Sequence, residues 1–154
     1  MLTFTGEEKR INAVFVATGL GDYDSHKKVY SQSERMIYRN AVINPGRHYS
    51  THSGKYTCPV SGLYFFSYSI QGDDIKQGWR NSQASASLLK DGTRMSQIYV
   101  DSENNANIDI SLSRSDIVQF NEGERVWVES CCHRNRIFGH PRNNIFSGLL
   151  LYMV

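Results

Sequence analysis

Hydrophobic and polar residues alternate along much of this chain, and the alternation predicts strands. Ile108, Ile110 and Leu112 are separated by Asp109, Ser111 and Ser113, the pattern of a half-buried strand with one face in water. Ala84 to Leu89 leads into Lys90-Asp91-Gly92-Thr93 and then Met95 to Val100. Asp-Gly between two such runs predicts a hairpin, because the turn needs positive φ, which glycine adopts freely. Asp116 to Phe120, Asn121-Glu122-Gly123 and Arg125 to Glu129 read as another strand–turn–strand unit. Ile11 to Leu20 reads as a strand and not as a secretory leader, since acids precede it and Asn12 and Thr18 interrupt it. The irregular stretches are Gly19 to Ser33, Gln71 to Ser82 and Cys131 to Asn144. Many short strands, no internal repeat and no long amphipathic helix describe one all-β domain, a sandwich or jelly roll.

Two segments break the alternation. Gly62 to Tyr68 carries bulk on both faces in its first half. Phe146 to Val154 does so more fully, with Phe146, Leu150 and Tyr152 expected on one face and Leu149, Leu151 and Met153 on the other. A strand apolar on both sides must be covered twice, and with no helix to act as a lid a partner subunit is the expected cover.

Composition narrows the classes. The 154 residues include 17 Lys and Arg against 15 Asp and Glu, a net charge of +2 too balanced to make nucleic acid the default partner. With 40% hydrophobic and 21% charged residues the chain is not disordered. No apolar run approaches the ~18–20 residues of a membrane helix, so no membrane insertion is expected. Cys58, Cys131 and Cys132 are three in number, and a bridge between the adjacent pair would strain disulfide geometry. They read as buried, unreactive thiols, the alternative being a bridge from Cys58 to one of the pair. Neither their spacing nor that of the histidines fits a structural zinc site.

The run Tyr38 to Tyr68 resembles the aromatic signature of the globular C1q domain. That pattern is an aromatic, five residues, Asn or Asp, four residues, an aromatic, six residues, Phe, five residues, then Gly-x-Tyr-x-Phe-x-aromatic. The corresponding places hold Tyr38, Asn44, Tyr49, Tyr56, Gly62, Tyr64, Phe66 and Tyr68. Tyr38 and Tyr56 depart from it, standing where the family usually has Phe, and each adds a hydroxyl that needs a partner if buried. Ser87 to Gly92, Gly123 to Val128 and Phe146 to Tyr152 are similar to the family's later strands, so the likeness spans roughly residues 11–154. It implies a single domain over 1–154, a ten-stranded antiparallel jelly-roll sandwich related in shape to tumour necrosis factor. It further implies a homotrimer with the last strand near the three-fold axis. The family usually carries a collagen-like stalk, and no Gly-x-y repeat occurs here, so the chain reads as a lone head or a fragment.

Candidate sites fall in the irregular stretches. Residues 130–154 hold Arg134, Arg136 and Arg142 with no acid, while residues 1–129 hold 14 basic against 15 acidic residues. With His133 and His140 this is either a basic loop for anionic ligands such as sialylated glycans, lipopolysaccharide or acidic proteins, or a solvated loop tip. Trp79 beside Arg80 either stacks on a sugar or folds back over apolar surface. Asp101, Glu103 and Asp109 flank Asn104-Asn105-Ala106-Asn107. Relatives hold calcium in this region, so Asp101 and Asp109 are the residues the resemblance offers to Ca²⁺, against ordinary turn chemistry. No nucleophile elbow, P-loop, dinucleotide-binding glycine triplet or His-Glu-x-x-His run is present, so the chain reads as non-enzymatic. The expectation is a secreted, trimeric recognition head of innate immunity that binds microbial or host glycans and needs no cofactor. The alternative is a trimeric ligand for a cell-surface receptor.

Overall fold

The computed structural model describes residues 11–21, 28–72, 83–101, 110–131, 135–137 and 142–154. They form twelve strands: β1 (Val14–Thr18), β2 (Lys28–Tyr30), β3 (Arg35–Met36), β4 (Asn40–Ile43), β5 (Tyr56–Thr57), β6 (Gly62–Gly72), β7 (Gln83–Lys90), β8 (Thr93–Asp101), β9 (Ile110–Phe120), β10 (Arg125–Glu129), β11 (Asn135–Ile137) and β12 (Ile145–Met153). The sole helical turn among them is a 3₁₀ turn at Pro45–Arg47. Ten strands make two antiparallel layers of the jelly roll. The front layer runs β4-β1-β12-β6-β9, and the back layer runs β10-β7-β8 with β3 and β5 sharing the outer edge of β10. The remaining two, β2 and β11, pair with each other inside stretches that the sequence pattern leaves irregular. β11 then joins the layers by one residue pair on each side, Ile137 with Gly72 and Asn135 with Gln83.

The predicted hairpin forms as expected. β7 and β8 are joined by Asp91 and Gly92, both at positive φ, the twist that suits a two-residue connection. Gly123 turns the chain from β9 to β10 in the same way.

Between the layers the aromatic signature becomes the core. Phe15 of β1 is fully buried, stacked on Tyr56 at 4.5 Å and Tyr49 at 5.0 Å, with Phe146 edge-on at 4.8 Å. Tyr64, Phe66 and Phe120 continue the cluster. Each such pair contributes about 0.5–1.5 kcal/mol beyond the area it buries. Asn44 holds its motif position by its amide, which donates to the Tyr49 carbonyl at 2.9 Å and accepts from the Tyr49 N–H at 3.1 Å. Of the two tyrosines that replace Phe, Tyr38 donates to the Ser69 carbonyl at 3.1 Å. The Tyr56 hydroxyl is buried with no hydrogen-bond partner.

Of the three cysteines, Cys58 and Cys131 are described, and they lie at opposite ends of one strand, while Cys132 lies outside the described residues. The Cys58 N–H donates to the Glu124 carbonyl just before β10, whereas Cys131 follows its other end. Seven residues of extended chain separate those levels by roughly 23 Å, far beyond disulfide reach. Cys58 is a free, buried thiol, and burial pushes it up to about 12. Among the described residues no helix is long and apolar enough to cross a membrane.

Candidate functional site

The outward side of the front layer is apolar at one end. Leu63 and Phe65 of β6 point away from the core, half-buried, because their neighbours Tyr64 and Phe66 take the inner positions. Ile117 of β9, opposite Phe65, is 64% exposed, and Leu149, Leu151 and Tyr152 of β12 are exposed across β6 from it. The registers Val14 with Leu149 and Leu149 with Phe65 make the patch continuous across β1, β12 and β6.

Here the structure corrects the expected faces of the last strand. A bulge between Leu150 and Tyr152 shifts the register, so Leu150 pairs with inward Tyr64 but Tyr152 pairs with outward Leu63. One extra residue reverses the alternation, and Tyr152 joins Leu149 on the outer face instead of Phe146 and Leu150 on the inner one. Towards the other end the same surface is lined by Ser67, Ser69, Ser113, Ser115 and Ser147.

The stretches nominated as ligand loops leave from that serine-lined end of the sandwich. Gly72 at the end of β6, Gln83 at the start of β7, Asp101 at the end of β8 and Ile110 at the start of β9 are gathered there by pairing. Asn135 of β11 fixes the basic stretch from below. Its amide accepts the Ser85 N–H at 2.9 Å and donates to the Ser85 carbonyl at 2.6 Å and the Ser130 hydroxyl at 2.9 Å. Arg136 lies next to it in β11, paired with Val29, and Arg142 is exposed in the turn before β12. His133, Arg134, His140, Trp79, Arg80 and Asp109 lie outside the described residues. Asp101 pairs in β8 with Gln83. Among the described residues no three His, Cys, Asp or Glu side chains converge.

A second basic surface was missed by inspection of the C-terminal stretch alone. Residues 35–72 contain Arg35, Arg39, Arg47 and Lys55 and no acid. An acid-free run of this length is the signal that could have found it. Folding brings two of these cations to the outer face of the back layer, against β10. Arg35 pairs with Glu129 at one end of that strand and Thr57 pairs with Arg125 at the other. Lys55 lies between them, its ammonium 4.4 Å above the Trp127 ring.

A family model for the C1q domain matches residues 22–151. The chain belongs to the C1q domain family. Complement C1q tumor necrosis factor-related protein 2 of Mus musculus is 31% identical over 72% of this C1q domain, which covers 35% of that protein. Complement C1q tumor necrosis factor-related protein 7 of Mus musculus is 29% identical over 77% of the chain, covering 38% of that protein. The chain thus spans less than half the length of these curated relatives. Among solved structures, the globular domain of zebrafish complement 1qA protein superposes with a TM-score of 0.66 at 14% identity, covering 92% of this chain and 99% of that one. The structure of Eiger TNF from S. frugiperda does so with a TM-score of 0.73 at 12% identity, covering 92% and 94%. These likenesses establish the jelly-roll fold of the C1q domain seen in β1–β12.

Proposed function

We propose that this C1q domain is the non-enzymatic head of a secreted recognition protein that works as a homotrimer and binds anionic glycans and related charged surface ligands. The observation that carries the proposal is the apolar outer face of the front layer. Ile117, Leu149, Leu151 and Tyr152 are each about 40–65% exposed, and with half-buried Val14, Leu63 and Phe65 they form a patch across β1, β12, β6 and β9. Burying it against two further copies removes that surface from water and sets three ligand-binding ends side by side. Weak single contacts then add through avidity. Arg134, Arg136 and Arg142, with His133 and His140, are proposed contacts at the loop end, and Trp79 with Arg80 a proposed sugar platform.

A glycan array probed with the purified protein, alongside binding to whole bacteria, tests the proposal. Retention on sialylated, sulfated or lipopolysaccharide probes is expected. Absence of all such binding, with saturable binding to one cell-surface receptor, would move the protein to the class of trimeric receptor ligands. Binding of Ca²⁺ by Asp101 and Asp109 is a separate proposal. Calorimetry showing no heat on Ca²⁺ addition to chelator-treated protein removes it.

A further inference from the structure

We propose that the row Arg35–Lys55–Arg125 on the outer face of the back layer is a binding site for an extended sulfated or uronic-acid polysaccharide, separate from the loop-end arginines. The inference rests on the reading of this domain as a binder of anionic glycans and names a surface for it. The row follows from register. Arg125, Trp127 and Glu129 alternate out of β10 on one side, and Arg35 stands opposite Glu129 and Thr57 opposite Arg125 along its edge. Lys55, two residues before Thr57, therefore comes level with Trp127, over whose ring it lies. Arg35 and Arg125 are four strand positions apart, roughly 14 Å, with Lys55 about midway.

Two of these cations, Arg35 and Lys55, are short of counter-charge. The Arg35 guanidinium donates to the Ser53 carbonyl at 2.9 Å and Lys55 faces an aromatic ring. Neither pairs with a carboxylate among the described residues. Among the nearby acids, Glu129 accepts the Trp127 indole N–H at 3.0 Å, Asp91 pairs with Arg125 at 3.7 Å and Glu124 pairs with Lys90 at 3.1 Å. Desolvation, and then the like charges of Arg35 and Arg125, hold Lys55 below its ordinary value. An anion laid along the row relieves that repulsion.

Shape selects among anionic ligands. A line of three cations suits a chain of repeated anionic groups better than one isolated phosphate. Base stacking on single-stranded nucleic acid needs open aromatic faces, and Trp127 is only 9% exposed, with Lys55 over its ring. A membrane surface calls for a broad apolar area beside the cations, whereas most of the exposed large hydrophobic residues described lie on the front layer and only Met95 and Tyr99 of β8 lie on the back one.

Heparin is the probe, with hyaluronate, neutral dextran and phosphatidylserine vesicles as comparisons. The native protein should be retained on heparin, and the triple variant Arg35→Ser, Lys55→Ser, Arg125→Ser should bind about tenfold or more weakly with a shallower salt dependence. The control variant Arg114→Ser, an exposed cation on β9 of the front layer, should keep the affinity. Because the triple variant could lose folding, acetylation of the native protein provides a second readout, in which bound heparin should shield Lys55. Three outcomes overturn the site. If the folded triple variant binds heparin as tightly as the native protein, or Lys55 reacts equally with and without heparin, the site is wrong while the anionic-glycan reading stands. If the native protein binds only the vesicles, the polysaccharide assignment is wrong. If it binds neither heparin nor hyaluronate, the functional reading fails together with the site.

Discussion

The two tyrosines that replace phenylalanine in the aromatic signature should respond to hydroxyl removal with opposite signs. Tyr56 and Tyr38 are both fully buried, but only Tyr38 has a hydrogen-bond acceptor, the Ser69 carbonyl at 3.1 Å. In Tyr56→Phe every ring contact survives, including the 4.5 Å stack on Phe15 and the edge contacts with Phe66 and Tyr64. What is lost is a hydroxyl stripped of water without compensation, which costs about 1–3 kcal/mol. The variant should therefore be more stable by about 1–2 kcal/mol, a rise in Tm of roughly 2–8 °C for a domain of this size. Tyr38→Phe removes a satisfied bond and leaves the Ser69 carbonyl short of one donor, so it should lose about 0.5–1.5 kcal/mol. Urea unfolding followed by circular dichroism, at one fixed protein concentration because association couples to stability, measures both. A Tyr56→Phe variant destabilised by more than about 0.5 kcal/mol would refute the reasoning, since it would mean the hydroxyl has a partner in the folded protein.

Other variants probe the packing and the loop end. In Gly148→Ala the new methyl would overlap the Phe66 ring and crowd Phe15, which flank Gly148 in register, so a loss of about 1–3 kcal/mol in urea unfolding is expected; no change would show that the rings have room to move. Asn135→Ala breaks three buried hydrogen bonds and should cost about 2–4 kcal/mol, with faster amide exchange through 128–137 than elsewhere. High pH should unfold the domain through its core. Burial raises the tyrosines at 30, 38, 49, 56, 64 and 68, with Tyr64 pushed up to about 12, and it raises Cys58 likewise. The folded state holds these protons more tightly than the unfolded chain, so their stabilisation is complete below about pH 9 and is lost as pH rises through 12. Six of the nine tyrosines should thus ionise together with the loss of circular dichroism, followed at 295 nm. Full ionisation near pH 10 with the spectrum intact would contradict the burial.

Much of this fold was legible from spacing together with the resemblance to the C1q signature. The Asp91-Gly92 turn and the strand through Ile110 and Leu112 stand where turn chemistry and alternation put them, and the aromatics from Tyr38 to Tyr68 fill the core as the resemblance to the C1q signature implies. The placement of Tyr152 was not legible, because a bulge depends on how β12 meets β6 and leaves no mark in the sequence of β12 by itself. Strands β2 and β11 were missed for a related reason. Each is three residues long, too short for a period to show, and exists by pairing with the other. Charge was read along one terminal stretch, so the row formed by Arg35, Lys55 and Arg125 escaped notice; its members are up to 90 residues apart in sequence and meet only through the register of β10. That Gly72, Gln83, Asp101 and Ile110 meet at one end became visible only from strand pairing.

Sedimentation equilibrium of the purified 17.6 kDa chain, across micromolar concentrations, tests most directly whether the outer face carrying Ile117, Leu149 and Tyr152 is covered by other copies. Three times the chain mass is expected, falling to a single mass when Ile117 and Leu149 are both changed to Asp. A folded native protein that stays at one chain mass throughout would contradict the account.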